Sequence, residues 1–159
     1  MMNGKRLRVA VATDHGGFLL KDTVITALMD LGHEPIDFGT DSLESVDYPD
    51  FAKEAGEALV RGEVDRAILL CGSGVGVCIT ANKIPGVYAC VCHDTYTAAQ
   101  GVEHDQMNTL CLGSRVIGTE LAKHIVKAFM SARPSDAARH MRRVSKMKKI
   151  EKTHLKGSP

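Results

Sequence analysis

Short strand-like segments alternate with amphipathic segments along this chain. Segments with the length and composition of strands cover residues 8–13, 34–38, 67–70, 87–92 and 109–112. Apolar residues recur at helical spacing between and after them, in residues 18–31, 51–60, 75–82, 94–99, 119–130 and 137–152. The repeated alternation of strand and helix predicts an α/β fold, with a parallel sheet and helices on both of its faces.

Residues that end or cap helices stand at the boundaries of these segments. Gly32 follows the first helical segment and predicts its C-terminus. Asp94 is the predicted N-cap of the fourth helix, and Thr119 is the predicted N-cap of the fifth. Pro134 breaks the chain before the last helix. Together these signals predict a three-layer, Rossmann-like sandwich with a five-stranded parallel sheet.

The last predicted helix is basic and carries a narrow apolar stripe. Met141, Val144, Met147 and Ile150 come at every third position, which suits contact with one other surface. We therefore expect this C-terminal helix to extend onto a partner subunit. Residues 154–159 are expected to form a disordered tail.

Size and composition indicate a single globular domain over residues 1–159. The chain is 44% hydrophobic and 25% charged, with a net charge of +1. It has neither an apolar run of membrane-spanning length nor a signal-peptide pattern, so we expect a cytoplasmic protein with no membrane partner. The near-neutral charge argues against a general nucleic-acid binder.

Five cysteines stand mostly in strand-like apolar segments: Cys71, Cys78, Cys90, Cys92 and Cys111. Their odd number and apolar surroundings favour reduced thiols over a disulfide framework. The sequence contains no C-x-x-C pair, so a structural zinc site is not expected.

Polar residues follow the predicted strands. The carboxyl ends of parallel strands lie at one edge of the sheet, and ligands bind beyond that edge. The residues found there are Asp14 and His15, Asp47 and Tyr48, residues 71–76, His93 and Asp94, and Arg115. We therefore predict a ligand site with many polar groups at this edge.

The segment 71–76, CGSGVG, joins the third strand to the third helix. Cys71 ends the strand, and Gly72, Gly74 and Gly76 follow it. Glycines let main-chain N–H groups converge on an anion, and the start of a helix favours a thiolate over a thiol. A cysteine that ends a core strand is more often a packing residue. The clustered glycines weaken both elements unless the backbone needs the space, so they favour a catalytic base beside an oxyanion cradle.

Three other motifs do not fit this segment. A dinucleotide fingerprint needs a third glycine three residues after Gly74, and a cysteine-dependent phosphatase needs an arginine six residues after Cys71. Val77 occupies both positions. The Gly-Lys-Ser/Thr of a P-loop is absent from the sequence. A proton transfer next to a sugar carbonyl remains.

Motifs across residues 8–151 resemble the type B ribose-5-phosphate isomerase family, whose relatives act on allose 6-phosphate and galactose 6-phosphate. The most specific are CGSGVG at residues 71–76 and SVDYPDFA at residues 45–52. Shorter ones are Asp14-His15, Ala81-Asn82-Lys83, Gly113-Ser114-Arg115-Val116, and Arg139-His140 with Arg143. The resemblance implies an aldose–ketose isomerase of the pentose phosphate pathway, which interconverts ribose 5-phosphate and ribulose 5-phosphate without a metal or organic cofactor.

The resemblance also implies a role for each candidate residue. Cys71 is the implied base that moves a proton between C1 and C2, Ser73 helps the turn's N–H groups to hold the enediolate, and His104 opens the furanose ring. The residues implied to bind the sugar phosphate are Asp14, His15, Tyr48, Gly72, Ser73, Gly74, Val75, Gly76, Asp105, Arg115, Arg139, His140 and Arg143. In the family the site lies between two subunits, so we expect a homodimer, or a dimer of dimers, with shared active sites.

The segment around His104 departs from the family pattern. Relatives typically read Arg-x-His-Asn-Asp-x-Asn, and this chain has Val102 in place of the arginine and Asp105 in place of the first asparagine. Both changes bear on ring opening and on the preferred sugar. His93, which directly follows the fourth strand, is an alternative to His104 for opening the ring.

The sequence also allows two other functions. The altered segment allows the same isomerisation on a six-carbon sugar phosphate, allose 6-phosphate or galactose 6-phosphate. Arg139 and Arg143 lie one helical turn apart and project from one face, where they would grip a phosphate or form a solvated basic face. A chain that kept these arginines without turnover would be a non-catalytic phosphosugar-binding module. Cys71 with its glycine turn argues against that module.

Overall fold

The computed structural model describes residues 5–155. The elements are, in chain order, β1 (Arg8–Thr13), α1 (Phe18–Asp30), β2 (Glu34–Asp37), α2 (Tyr48–Val60), β3 (Arg66–Cys71), α3 (Val75–Ala81), β4 (Ala89–Val91), α4 (Thr95–Asp105), β5 (Thr109–Gly113), α5 (Thr119–Ser131) and α6 (Ala138–His154). The five strands pair in parallel in the order β2-β1-β3-β5-β4. The predicted α/β sandwich with a five-stranded parallel sheet is confirmed.

Side chains on the two faces of the sheet differ in size. On β1, Val9 and Val11 pack in one cluster with α1, α4 and α5, whereas Ala10 and Ala12 pack in a second cluster with α2 and α3. The second face is rich in alanine, because α2 also presents alanines to it at positions 52, 55 and 58. The fully buried β3 contributes apolar side chains to both clusters, in agreement with its continuous apolar sequence.

Several element boundaries differ from those predicted, among them those of α2, β4 and α4, which continues to Asp105. Helix α2 begins at Tyr48 rather than residue 51, because Pro49 suits the first turn of a helix and needs no hydrogen-bond donor there. Strand β4 covers only Ala89–Val91. The residues before it leave the strand pairing, since the Tyr88 N–H donates to the side-chain oxygen of Asn108 at 2.8 Å.

The predicted helix caps are confirmed in two cases and wrong in one. Gly32 adopts a left-handed conformation, φ +80°, directly after the end of α1. The Asp94 carboxylate accepts the Thr97 N–H at 2.7 Å and caps α4. The prediction that Thr119 caps α5 is wrong, because Gly118 is the N-cap and Thr119 is already helical.

Helix α6 folds back along its own chain and packs against α4. Val144 is buried, and the Glu151 carboxylate accepts hydrogen bonds from the Gly86 N–H at 2.8 Å and the Tyr88 hydroxyl at 3.0 Å. Ile150, at the end of the predicted apolar stripe, is 62% exposed. The stripe is therefore divided between packing within the chain and an exposed remainder. The extension of this helix onto a partner stays a prediction.

The C-terminal end of α6 lies further along the chain than predicted. The helix continues to His154, so this residue belongs to the last helical turn and not to a disordered tail. Residues 156–159 of the predicted tail lie outside the described residues. Within residues 5–155, no helix combines the length and the apolar character that a membrane span requires.

Gly17, the N-cap of α1, lies where this helix start approaches β3 too closely for a side chain. A methyl group there would overlap the Thr13 hydroxyl and lie 2.7 Å from the Leu70 carbonyl carbon. We expect Gly17→Ala to lower the free energy of unfolding by about 1–3 kcal/mol, because the buried strand cannot move aside. Urea denaturation monitored by circular dichroism measures the change. Gly118→Ala, at the N-cap of α5, is the matched control, since nothing lies within 4 Å of its added methyl group. Equal losses in both variants would contradict the steric explanation.

Candidate active site

Residues from several strand ends meet at the carboxyl edge of the sheet. We call them the sheet-edge group: Asp14, His15, Tyr48, residues 71–76 and Arg115. A methyl group on Gly16 would lie 3.0 Å from the Gly72 nitrogen, and one on Gly76 would lie 2.8 Å from the Tyr48 ring. The structure thus brings these polar groups together at this edge, and the role of each residue stays a prediction.

The turn after β3 holds the Cys71 sulfur against a main-chain N–H. Gly74 has φ +79°, a left-handed conformation that glycine adopts without strain, and its N–H donates to the Cys71 Sγ at 3.0 Å. The turn also packs closely on β5, because a methyl group on Gly113 would lie 2.6 Å from the Ser73 carbonyl carbon. An N–H directed at the sulfur stabilises a thiolate more than a thiol. Cys71 is buried, with 5% of the residue exposed.

The loop after β5 is hydrogen-bonded to the glycine turn. The Ser114 N–H donates to the Cys71 carbonyl at 3.0 Å, and the Arg115 N–H donates to the Gly72 carbonyl at 3.1 Å. The Arg115 guanidinium therefore lies directly against Gly72, 3.2 Å from the position that a methyl group would occupy. The Ser73 hydroxyl is exposed and accepts the Val75 N–H at 3.3 Å.

Asp14 and His15 are oriented by main-chain N–H groups. The buried Asp14 carboxylate accepts the Gly17 N–H at 3.0 Å. The Nδ1 atom of His15 accepts the Val46 N–H at 3.1 Å. Because Nδ1 is an acceptor, the ring carries its proton on Nε2, which leaves a hydrogen-bond donor for an anion.

An open cavity of ≈ 470 Å³ adjoins the sheet-edge group. Its lining includes His15, Gly16, Leu43, Ser114, Arg115 and Thr119. Gly16 and Arg115 also contact Gly72, so the cavity lies beside the glycine turn. Arg115 and the Nε2–H of His15 provide hydrogen-bond donors for a phosphate. Among residues 5–155, no group of three or more His, Cys, Asp or Glu side chains is arranged to hold a metal ion.

A buried lysine fixes the loop that forms one wall of this cavity. The Lys21 ammonium donates to the Thr40 carbonyl at 2.7 Å and to the Asp37 carboxylate at 2.8 Å. A buried ammonium is stable only when it is paired and hydrogen-bonded, as it is here. Lys21 thereby ties α1 to the start of the loop that carries Leu43.

The remaining candidate residues lie together on α4 and α6. We call them the helix group: His104, Asp105, Arg139, His140 and Arg143. The rings of His104 and His140 are stacked, with centroids 3.9 Å apart and planes 15° apart. Arg139 and Arg143 are exposed, so both are available to an external phosphate.

His140 is the buried member of the stacked pair. Burial lowers the pKa of His140 below its ordinary value, and electrostatic interactions with His104, Arg139 and Arg143 lower it further, while Asp105 acts in the opposite direction. The imidazole is therefore neutral near pH 7. A neutral ring stacks on His104 without charge repulsion.

The sheet-edge group and the helix group are not connected within the described chain. Among residues 5–155, no hydrogen bond or ion pair joins a member of one group to a member of the other. One chain thus presents a thiol, a glycine turn and a cavity in one place, and two stacked histidines with two exposed arginines in another.

The structure gives defined positions to three residues around the proposed ring-opening histidine: His93, Val102 and Asp105. The Nε2 atom of His93 accepts the Gly113 N–H at 2.9 Å, so His93 ties the end of β4 to β5. Val102 is buried in the cluster of α1, α4 and α5, whereas Asp105 is exposed at the end of α4. Of the two departures from the family pattern, Asp105 is therefore the one that changes an exposed group.

All five cysteines are free, as predicted, but a second thiol has unusual surroundings. A hydrogen bond from Cys111 outweighs the effect of burial and lowers the pKa of Cys78 to about 7. Its sulfur lies 3.5 Å from the Ala89 carbonyl and 3.6 Å from the Asn82 amide nitrogen. Cys78 therefore contacts β4 and the end of α3, whereas Cys71 contacts the glycine turn.

Sequence reasoning missed three polar residues in or beside the two groups. Gln100 contacts the His104 ring, Ser114 donates from its hydroxyl to the Gly16 carbonyl, and Lys21 holds the cavity wall. Gln100 stands four residues before His104, a helical spacing that predicts contact once both are assigned to α4. The Lys21 contact joins residues that are distant in sequence, so no local signal could have found it.

The known proteins that this chain resembles are sugar isomerases. The family model described as Ribose/Galactose Isomerase matches residues 9–147. The chain is 44% identical over 144 residues to ribose-5-phosphate isomerase B of Escherichia coli, an alignment that covers 91% of this chain and 96% of the relative. It is 40% identical over 127 residues to a D-erythrulose-4-phosphate isomerase of Pectobacterium atrosepticum, covering 79% and 84% of the two chains.

A solved structure extends the likeness to the fold. The structure of Clostridium thermocellum ribose-5-phosphate isomerase B superposes with a TM-score of 0.88 at 45% sequence identity. The superposition covers 92% of this chain and 99% of that one.

The lowered pKa of His140 predicts a loss of stability on acidification. Because the folded chain holds this pKa below that of an unfolded histidine, about 6.5, the unfolded state binds more protons as the pH falls below that value. We expect His140→Phe, which keeps an aromatic stack but cannot ionise, to lose less stability than the unmodified chain between about pH 7 and about pH 5. Urea denaturation across this range measures the slope. His124→Gln, at an exposed histidine, should keep the original slope, and an unchanged slope in His140→Phe would contradict the prediction.

Proposed function

This chain belongs to the ribose/galactose isomerase family, and on that premise we propose that it interconverts ribose 5-phosphate and ribulose 5-phosphate. One observation carries the proposal. The Cys71 sulfur accepts an N–H from the glycine turn, and that turn adjoins a cavity with Arg115 and His15. Under this proposal these groups would supply a base, an oxyanion cradle and a phosphate site at one edge of the sheet.

Cys71 is the proposed base. Its thiolate removes the proton from C2 of the open-chain aldose and returns it to C1. The hydroxyl proton on O2 passes to O1, so C1 becomes an alcohol, C2 becomes a carbonyl, and no atom is gained or lost. The intermediate is a cis-enediolate, and no metal or organic cofactor enters these steps.

The glycine turn is the proposed cradle for the enediolate oxygen. General-base catalysis contributes ~10²–10⁴ in rate and one oxyanion donor ~10²–10³, so neither is sufficient alone. The N–H groups of residues 72–76, with the exposed Ser73 hydroxyl, would supply the donors. Asp14 and Tyr48, which border the same turn, would bind the sugar hydroxyls.

The cavity beside the turn is the proposed site of the phosphate. Arg115 lies against Gly72, and His15 offers its Nε2–H, so both donors flank a space of ≈ 470 Å³. A phosphate dianion held there leaves the first two sugar carbons free to reach Cys71. The distance between the reacting carbons and the phosphate sets the preferred chain length of the sugar.

The helix group is proposed to complete the site of a partner subunit in a homodimer. His104 would open the furanose ring, because His93 is engaged with the Gly113 N–H. Arg139 and Arg143 are exposed and would reach the phosphate from across the interface. The separation of the two groups within residues 5–155 supports this arrangement, since each group holds only some of the residues that the proposed reaction needs. The free thiols favour the cytoplasm as the compartment.

Sugars of other lengths are the second candidate. The family description includes galactose, and the Pectobacterium relative is a D-erythrulose-4-phosphate isomerase, so four- and six-carbon phosphates need testing. The Asp105 carboxylate is the change in this chain that bears on sugar choice. A non-catalytic phosphosugar-binding module is a third possibility, and the Cys71 geometry argues against it.

We expect the purified protein to isomerise ribose 5-phosphate with a higher kcat/KM than allose 6-phosphate, galactose 6-phosphate or erythrulose 4-phosphate. In Cys71→Ser we expect kcat to fall by about 10²–10⁴, because a serine hydroxyl is not ionised at neutral pH. Calorimetry should show that ribose 5-phosphate still binds to this variant.

The matched control for this experiment is Cys78→Ser, which removes the thiol whose pKa is lowered to about 7 but which contacts β4. It should keep kcat within about threefold of the unmodified protein. A loss of turnover in Cys78→Ser with full activity in Cys71→Ser would show that the base is Cys78 and not Cys71. Binding without turnover in the unmodified protein would favour the non-catalytic module.

Mixing two inactive variants tests the shared site. We expect Cys71→Ser and His104→Ala to lose activity separately. If the mixed protein is allowed to exchange subunits, half of the dimers combine one of each, and each of these has one intact site. Activity should therefore return to about a quarter of the unmodified level. Activity that stays at the level of the separate variants after exchange, with mixed dimers demonstrated by mass spectrometry, would contradict a site shared between subunits.

A further inference from the structure

Gln100 lies against the His104 ring in a way that selects one of its two neutral forms. The two residues are four positions apart on α4, and the Gln100 Nε2 lies 2.8 Å from the His104 Nδ1. An amide nitrogen has only hydrogens to offer, so Nδ1 must accept and cannot carry a proton of its own. The remaining proton of the neutral ring is therefore on Nε2.

The second constraint on the ring comes from α6. His140 stacks on His104 with a centroid distance of 3.9 Å and nearly parallel planes. Gln100 fixes the edge of the ring that carries Nδ1, and His140 covers one face. Both residues are at least half-buried, so neither contact is a loose surface encounter.

We propose that Gln100 is a positioning residue that holds His104 as the Nε2–H tautomer and directs that proton away from α4. The catalytic part of this inference rests on the proposed function, in which His104 opens the sugar ring. Ring opening needs a donor at the ring oxygen. The His104 nitrogen that meets the sugar must then carry a proton, and the Gln100 contact at Nδ1 leaves that proton on Nε2.

The charged residues around His104 and His140 make the tautomer of His104 important for its proposed role. Burial, Arg139 and Arg143 oppose a positive charge on His140, whereas Asp105 on α4 favours one. A neutral imidazole has a donor on only one nitrogen, so its tautomer decides whether it can donate to substrate. Without a partner on Nδ1, part of the population would carry the proton on the wrong atom.

The decisive variant is Gln100→Glu, which keeps the size of the side chain but replaces the donor with an acceptor. A carboxylate accepts from Nδ1–H, so the neutral ring should change to the opposite tautomer. ¹⁵N nuclear magnetic resonance of the imidazole nitrogens reports this directly, without any dependence on activity. Gln100→Leu removes the donor without adding an acceptor and should give a mixture of both tautomers.

The change in kcat that we expect for Gln100→Glu depends on the tautomer of His104. At low pH the protonated ring still has an Nε2–H, so the variant should retain activity. As the pH rises to about 9, the neutral ring keeps its proton on Nδ1, and kcat relative to the unmodified protein should fall by at least about tenfold. KM should change by less than about threefold, because the phosphate contacts are untouched. Glu103→Gln, an exposed charge change on the same helix, is the control and should keep the original pH profile.

Each outcome decides the proposal. The Nε2–H tautomer in the unmodified protein, its reversal in Gln100→Glu and the falling activity ratio together support it. The same tautomer in all three proteins overturns the inference, as does a reversed tautomer with an unchanged pH profile. An unmodified protein that isomerises no sugar phosphate would refute the proposed function, and the nitrogen spectra would still decide whether Gln100 holds the ring.

Discussion

The hydrogen bond from the Gly74 N–H to the Cys71 sulfur is the contact on which the sheet-edge site depends. It requires the left-handed backbone at Gly74, and it requires the turn to lie directly on the end of β5. The sheet supplies the second condition, because the parallel register pairs Cys71 with Gly113, where the absence of a side chain leaves room for Ser73. A thiol held against a main-chain N–H is thus a product of strand order and two glycines.

Features that depend on neighbouring residues could be predicted from the sequence. The strand–helix alternation was sufficient for the parallel sheet, and Cys71 with its glycines was sufficient for a turn that surrounds a sulfur. The Asp94 cap followed from one side chain and the next turn of backbone. Errors occurred where local signals compete: Thr119 is a good cap by type, but the chain enters α5 one residue earlier, at Gly118.

Features that join distant segments could not be predicted in the same way. Lys21 looks like a surface residue of an amphipathic helix, yet it is buried under the loop after β2 and bonded to Asp37 and Thr40. The family resemblance implied that His140 lies at the phosphate with Arg139 and Arg143, and within the chain its ring stacks on His104. That contact exists only because α6 packs back on α4, a long-range event without a local signal. Whether His140 also reaches the phosphate stays a prediction.

Val102 and Asp105, the two departures from the family pattern around His104, have different surroundings in the structure. Val102 belongs to the core between the helices, so its main effect is on packing, and it adds no charge to the helix group. Asp105 is exposed beside a cluster of cations, and its charge is felt at His140. A carboxylate at this position offsets part of the positive charge of Arg139 and Arg143. It also removes an amide donor from the same place. Within residues 5–155 neither Val102 nor Asp105 is hydrogen-bonded to the sheet-edge group. Under the proposed function, a change on α4 would therefore alter which sugar is opened and held, while the proton transfer at Cys71 stays the same.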